Sequence, residues 1–138
     1  MTQPFALPAN LTPDLAQVRT YWDGLKRGEN KVPFADDVAL SKVPGLQGRL
    51  VLVDVFDKPV RFRFNIVGAD VRAWYGGDLA GKFADEVEPK GPLALFLAQA
   101  SATMETRAPT FYQDGFARLL LPLWGNGYVS ALLGGVVR

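Results

Sequence analysis

The stretch FARLLLPLWGNGYVSALLGGVV, residues 116–137, decides the fold. Two apolar runs flank Gly125-Asn126-Gly127. An Asn-Gly pair between such runs is a strong signal for a tight β-hairpin, because both turn residues must adopt positive φ. The runs predict strands over 116–124 and 128–137. Apolar residues follow one another in both, as in strands covered on two faces. A sheet built from them needs a packing layer above and another below.

Working outward, a strand over 109–113 meets a turn at Asp114-Gly115, giving a three-strand meander. An earlier hairpin precedes it. LVLVDVF (50–56) is nearly all apolar, Asp57-Lys58-Pro59 is the turn, and VRFRFNIV (60–67) alternates. Val60, Phe62, Phe64 and Ile66 fall on one face of that strand, and Arg61, Arg63 and Asn65 on the other. Between the hairpins lie a short helix from Asp70 to Trp74, stopped by Gly76-Gly77, and a helical turn over 84–87. A longer helix runs from Gly91-Pro92 to Arg107, with Leu93, Phe96, Leu97, Ala100 and Met104 as its apolar stripe. At the start, residues 1–11 read as a flexible arm. Thr12-Pro13-Asp14 opens an amphipathic helix over 12–28, where Leu15, Val18, Trp22 and Leu25 share a face and Gly28 is the stop. Segregated strands and helices make this an α+β chain with an antiparallel sheet. It is one domain over 12–138, with its sheet-bearing core over 49–138.

Composition narrows the chemistry. The 138 residues are 49% apolar, and fifteen basic against fourteen acidic side chains leave a net charge of +1. No basic stripe is present, so neither nucleic acid nor a membrane surface is expected as a partner. Cysteine and histidine are both absent. That excludes a cysteinyl-flavin adduct, haem held by His or Cys, the usual zinc sites and any histidine general base. No metal site and no cofactor is identifiable, and a small molecule held non-covalently is the class that remains. The N-terminus MTQPFALPANL lacks the basic and apolar regions of a signal peptide. The longest apolar runs fall far short of the roughly twenty residues a membrane helix requires. A cytoplasmic location is expected.

Two motifs invite a sharper function. In YGGDLAGKF (75–83), Gly76, Gly81 and Lys82 match the G-x-x-x-x-G-K spacing of a phosphate loop. Such a loop needs a strand before it and a Ser or Thr after the Lys. Here a helix precedes it and Phe83 follows, so a glycine-jointed turn is the better reading. Asp85, Glu86 and Glu88 form an acidic cluster, and Asp36-Asp37 a second. Carboxylates alone can run acid–base chemistry only in a dry cleft, whereas both clusters sit in polar, turn-like sequence. No catalytic residue is assigned, and the chain is not expected to be an enzyme.

The element order, with Tyr21-Trp22, Val32-Pro33 and Asp37, RFRFNIVGADV (61–71), YGGDLAGKF (75–83), RLLLPL (118–123) and LLGGVV (132–137), resembles a family of single-domain PAS proteins common in alphaproteobacteria, PAS domain type 5. The likeness spans residues 18–138. Where the family carries Asp-Pro after the position of Asp37, this chain has Ala39-Leu40. The resemblance implies a five-stranded antiparallel sheet in spatial order 2-1-5-4-3 with helices on one face. It also implies a sensory, signalling or protein-interaction role, with no catalytic set to carry over.

A PAS-like chain offers a pocket between sheet and helices. The candidates to line it are Phe64, Ile66, Trp74, Phe83, Phe96, Phe111 and Leu121. Arg63, Asn65, Arg72, Tyr112 and Arg118 are the polar residues within reach, each expected at the solvated surface. The second sheet face calls for a cover, and the first helix supplies one from its own chain or across a homodimer. Leu15, Val18, Tyr21, Trp22 and Leu25 are the candidate interface residues. The expected output is contact with a second copy or another signalling protein.

Overall fold

A computed structural model describes residues 5–138. Strands β1 (Leu50–Phe56), β2 (Arg61–Val67), β3 (Thr110–Asp114), β4 (Phe116–Gly125) and β5 (Tyr128–Val137) form one antiparallel sheet in the order β2-β1-β5-β4-β3. The expected α+β class and strand order are both present. β4 and β5 turn on Asn126 (φ 54°) and Gly127 (φ 86°), the two positive-φ positions that a tight hairpin demands. The remaining elements are three α-helices, α1 (Pro13–Gly24), α2 (Ala69–Tyr75) and α3 (Phe96–Thr106), with short 3-10 turns between them. None of these helices is long and apolar enough to cross a membrane.

The doubly apolar strands are sandwiched as their pattern requires. On one face Val51, Val53, Leu120, Leu132 and Val136 pack under α2 and α3, joined by Phe64, Val71 and Phe96. On the other, Leu50, Leu119, Leu121, Leu123 and Leu133 pack under α1, through Leu15, Val18 and Trp22. Trp22 Nε1–H also donates to the Pro122 carbonyl at 2.8 Å, so the ring buries without an orphaned donor. Gly135 sets how closely α1 approaches. A Cβ there would lie 3.0 Å from Leu15 Cδ2 and 3.4 Å from Val18 Cγ2.

α1 is shorter than expected. It ends at Gly24, and Thr12 occupies the N-cap position without a side-chain capping bond. Of the predicted arm, residues 1–4 lie outside the described residues, Ala6 and Pro8–Asn10 are exposed, and Phe5, Leu7 and Leu11 touch the fold. The Phe5 carbonyl accepts from Phe111 N–H at 3.0 Å, on the outer edge of β3. Leu7 and Leu11 pack against the α1-side core.

Two local expectations fail for identifiable reasons. Strict alternation along β2 is broken by a bulge: Val53 pairs with Phe64 but Leu52 with Ile66, leaving Asn65 as the extra residue. A bulge swaps the faces of everything beyond it. Ile66 therefore sits beside Leu52 on the α1 side, 44% exposed. The long helix from Gly91 is also broken. Gly91–Leu93 is a 3-10 turn, Leu95 adopts a left-handed conformation (φ 55°), and α3 starts at Phe96. Leu97 consequently leaves the apolar stripe for the surface.

Replacing Gly135 with Val should overpack the α1–sheet contact and cost about 1–3 kcal/mol of stability. Urea unfolding measures it, and an unchanged midpoint would show that α1 is not packed this closely.

Candidate functional site

Arg118 lies at position three of β4, inside an otherwise apolar run, and is only 2% exposed. It is the one charged side chain buried among the described residues. Alternation along β4 sends Leu119 and Leu121 toward α1 and Arg118 and Leu120 toward α3, so the guanidinium must find partners beneath that helix. Its Nε–H donates to Gln99 Oε1 at 2.6 Å, Nη1 to the Pro92 carbonyl at 2.8 Å, and Nη2 to the Ala94 carbonyl at 2.8 Å. Gln99 Nε2 in turn donates to Thr110 Oγ1 and to the Arg118 carbonyl, each at 3.1 Å. The Thr103 and Thr110 hydroxyls close the network at 2.6 Å. The rings of Phe96 and Tyr112 lie 5.3 and 5.5 Å from the guanidinium carbon. Burial lowers the Arg118 pKa to about 10, with the electrostatic interaction with Tyr112 opposing it, and at that value Arg118 is a cation at neutral pH.

These bonds explain the broken helix. The carbonyls of Pro92 and Ala94 would each accept an N–H four residues on if the helix were continuous. Arg118 takes both instead, and the 91–95 segment becomes a strap pinned to the sheet. Between this strap, the first turn of α3 and β3 opens a cleft of about 520 Å³. Phe64, Leu93 and Phe96 line it together with Val87, and Tyr112 and Asp114 face it from β3. Leu95 and Leu97, 55% and 42% exposed, also line it.

Of the seven candidate pocket residues, Phe64 and Phe96 line the cleft, their ring centroids 5.2 Å apart. Trp74 and Phe83 are on other parts of the surface. Trp74 packs on Phe116 at 5.7 Å, and Phe83 is held between Phe56 at 5.4 Å and the Arg61 guanidinium at 3.7 Å. Ile66, Phe111 and Leu121 belong to the α1 side, Ile66 through the bulge and the other two by strand parity. Among the polar candidates, Tyr112 lines the cleft and Arg118 underlies it, the reverse of a solvated arginine. Arg63 and Asn65 both bond Asp54, and exposed Arg72 lies 3.7 Å from Asp78. The strap residues were not legible as lining. The available signal was a lone arginine amid apolar residues on a central strand, which has to be buried and has to find acceptors.

The glycine-rich stretch serves the sheet. Gly81 N–H donates to the Phe64 carbonyl at 2.6 Å, and Phe64 N–H donates to the Lys82 carbonyl at 2.9 Å. The backbone amide that a phosphate would need is occupied in covering the outer edge of β2. The neighbouring acidic cluster is exposed. Asp85 accepts from Arg61 Nε and Nη2 at 3.0 and 2.8 Å, and this bonding holds its carboxyl below the usual value despite opposing desolvation. Asp37 is likewise paired, with Arg27.

The candidate interface residues are mostly spent within the chain. Leu15, Val18 and Trp22 are buried on their own sheet, and Tyr21 is half-buried with its hydroxyl donating to the Ala39 carbonyl at 3.1 Å. Leu25 is half-buried at the end of α1. Within this chain α1 thus covers the sheet through Leu15, Val18 and Trp22, while Tyr21 and Leu25 stay half-buried at its margin.

No protein-family model matches the chain, and no curated protein matches it.

Arg118→Met would strand three acceptors, two of them fully buried, and unfolding should show a loss of about 2–4 kcal/mol. A loss under about half a kcal/mol, the size of an ordinary surface substitution, would refute the clamp. Asp85 has a depressed folded pKa, so its contribution is complete above the unfolded carboxylate value of about 3.9 and is lost as pH falls through the folded value. Asp85→Asn should therefore flatten the acid limb of stability against pH and leave the slope above pH ~6 unchanged.

Proposed function

We propose that this chain is a PAS-like, non-catalytic regulatory domain that takes up a small, mainly apolar molecule non-covalently and reports its presence through contacts with a second copy or another protein. The observation that carries the proposal is the cleft of about 520 Å³ beside the Arg118 clamp, within the size range of small-molecule sites. An apolar lining with two polar groups on one wall suits binding and orientation. Acid–base chemistry would need a carboxylate held in dry surroundings, and the acidic clusters stand in exposed ion pairs. The strand order and the location of the cleft between sheet and helices support the PAS-like reading.

The test is a neutral fluorescent apolar probe, N-phenyl-1-naphthylamine. It should bind the wild-type protein with a saturable rise in emission, and Ala98→Trp should abolish the rise. Ala98 is an exposed residue lining the cleft, so the indole fills the space without disturbing the core. No saturable binding, or equal binding by the variant, would end the proposal.

A further inference from the structure

We infer that the ligand of this cleft is an anion, a carboxylate carrying an apolar body, drawn to the charge of Arg118. The inference rests on the ligand-binding reading above and gives its ligand a chemical class. A guanidinium has five N–H donors, and Arg118 places three of them, on Gln99, Pro92 and Ala94. One N–H on Nη1 and one on Nη2 donate to no acceptor among the described residues. None of its partners is a carboxylate, although a buried cation ordinarily has one. The oxygens are neutral dipoles and the flanking rings offer their π faces, so the guanidinium is solvated but no formal negative charge offsets it among the described residues.

That charge sits directly behind the cleft wall. Phe96 and Tyr112, which flank the guanidinium, both line the cleft, as does Ala94, whose carbonyl receives Nη2. The competing charge is Asp114 on the β3 wall, and it is exposed. Water screens an exposed carboxylate more strongly than it screens a cation buried behind the cleft wall. The two charges also orient a guest. Asp114 repels a head group left outside, Arg118 draws it inward at the Ala94–Tyr112 end, and the apolar body covers Leu95 and Leu97.

Displacement of N-phenyl-1-naphthylamine from the wild-type protein by decanoate, decanol and decylamine at pH 7.5 tests this. The three share one chain and differ in head-group charge. Decanoate should compete at about one-tenth the concentration of either other compound, the order expected of one unit charge attracting across the cleft wall at an intermediate dielectric. The preference should persist in 1 M NaCl, where attraction to surface lysines is screened. Arg118→Lys, which keeps the charge but loses the planar fork, should retain part of the preference, and Arg118→Met should lose it. Equal competition by decanol, stronger competition by decylamine, or a preference that vanishes in high salt would overturn the anion assignment while leaving the cleft a binding site. If none of the three displaces a probe that Ala98→Trp excludes, the assignment fails alone. If the probe itself does not bind, both fail together.

Discussion

The hydrogen bonds of one buried arginine organise the helical face of this sheet. A guanidinium cannot leave water without acceptors, and in a central strand the only ones within reach belong to the layer packed above. Arg118 takes an amide oxygen from α3 and two carbonyls from the strap before it. Through Gln99 the same network reaches Thr110 on β3, so helix, strap and edge strand share one set of polar contacts. A continuous helix would have consumed those carbonyls internally. Its interruption lets Leu95 turn left-handed and holds the strap away from β3, which is where the cleft lies.

The other sheet face obeys a simpler constraint. It needs to be dry, and α1 dries it with Leu15, Val18 and Trp22 over a glycine that allows close approach. The edges are closed by main chain. Gly81 and Lys82 pair with Phe64 along β2, and Phe5 pairs with Phe111 along β3. Unpaired strand edges invite pairing with other chains, and here irregular segments occupy part of both. The stretch that imitates a phosphate loop has this purpose, and its glycine earns its place by positive φ at Gly81.

Much of the fold could be read directly from residue patterns. The Asn-Gly hairpin, the doubly apolar runs and the first helix all follow from local chemistry, and the two-layer cover follows from them. The site was less legible. Ile66 was misplaced because a bulge depends on the register of the partner strand, which no single-strand pattern encodes. Phe111 and Leu121 are apolar on strands buried on both sides, where hydrophobicity carries no information about which side. Residue type alone places Arg118 in solvent, although its apolar neighbours on both sides argue for burial. The strap has a helical sequence pattern because the competing demand for its carbonyls comes from a residue more than twenty positions further along the chain.

The Trp22–Pro122 bond joins residues one hundred positions apart. The platform for α1 is built largely from β4 and β5, so this helix cannot dock until a segment about a hundred residues further along has been made. Contacts of such sequence separation slow folding. Until that segment is made, Leu15, Val18 and Trp22 of α1 have no native surface to cover. The β4–β5 hairpin thus completes the sheet and, in the same step, supplies the surface that covers the apolar side chains of α1.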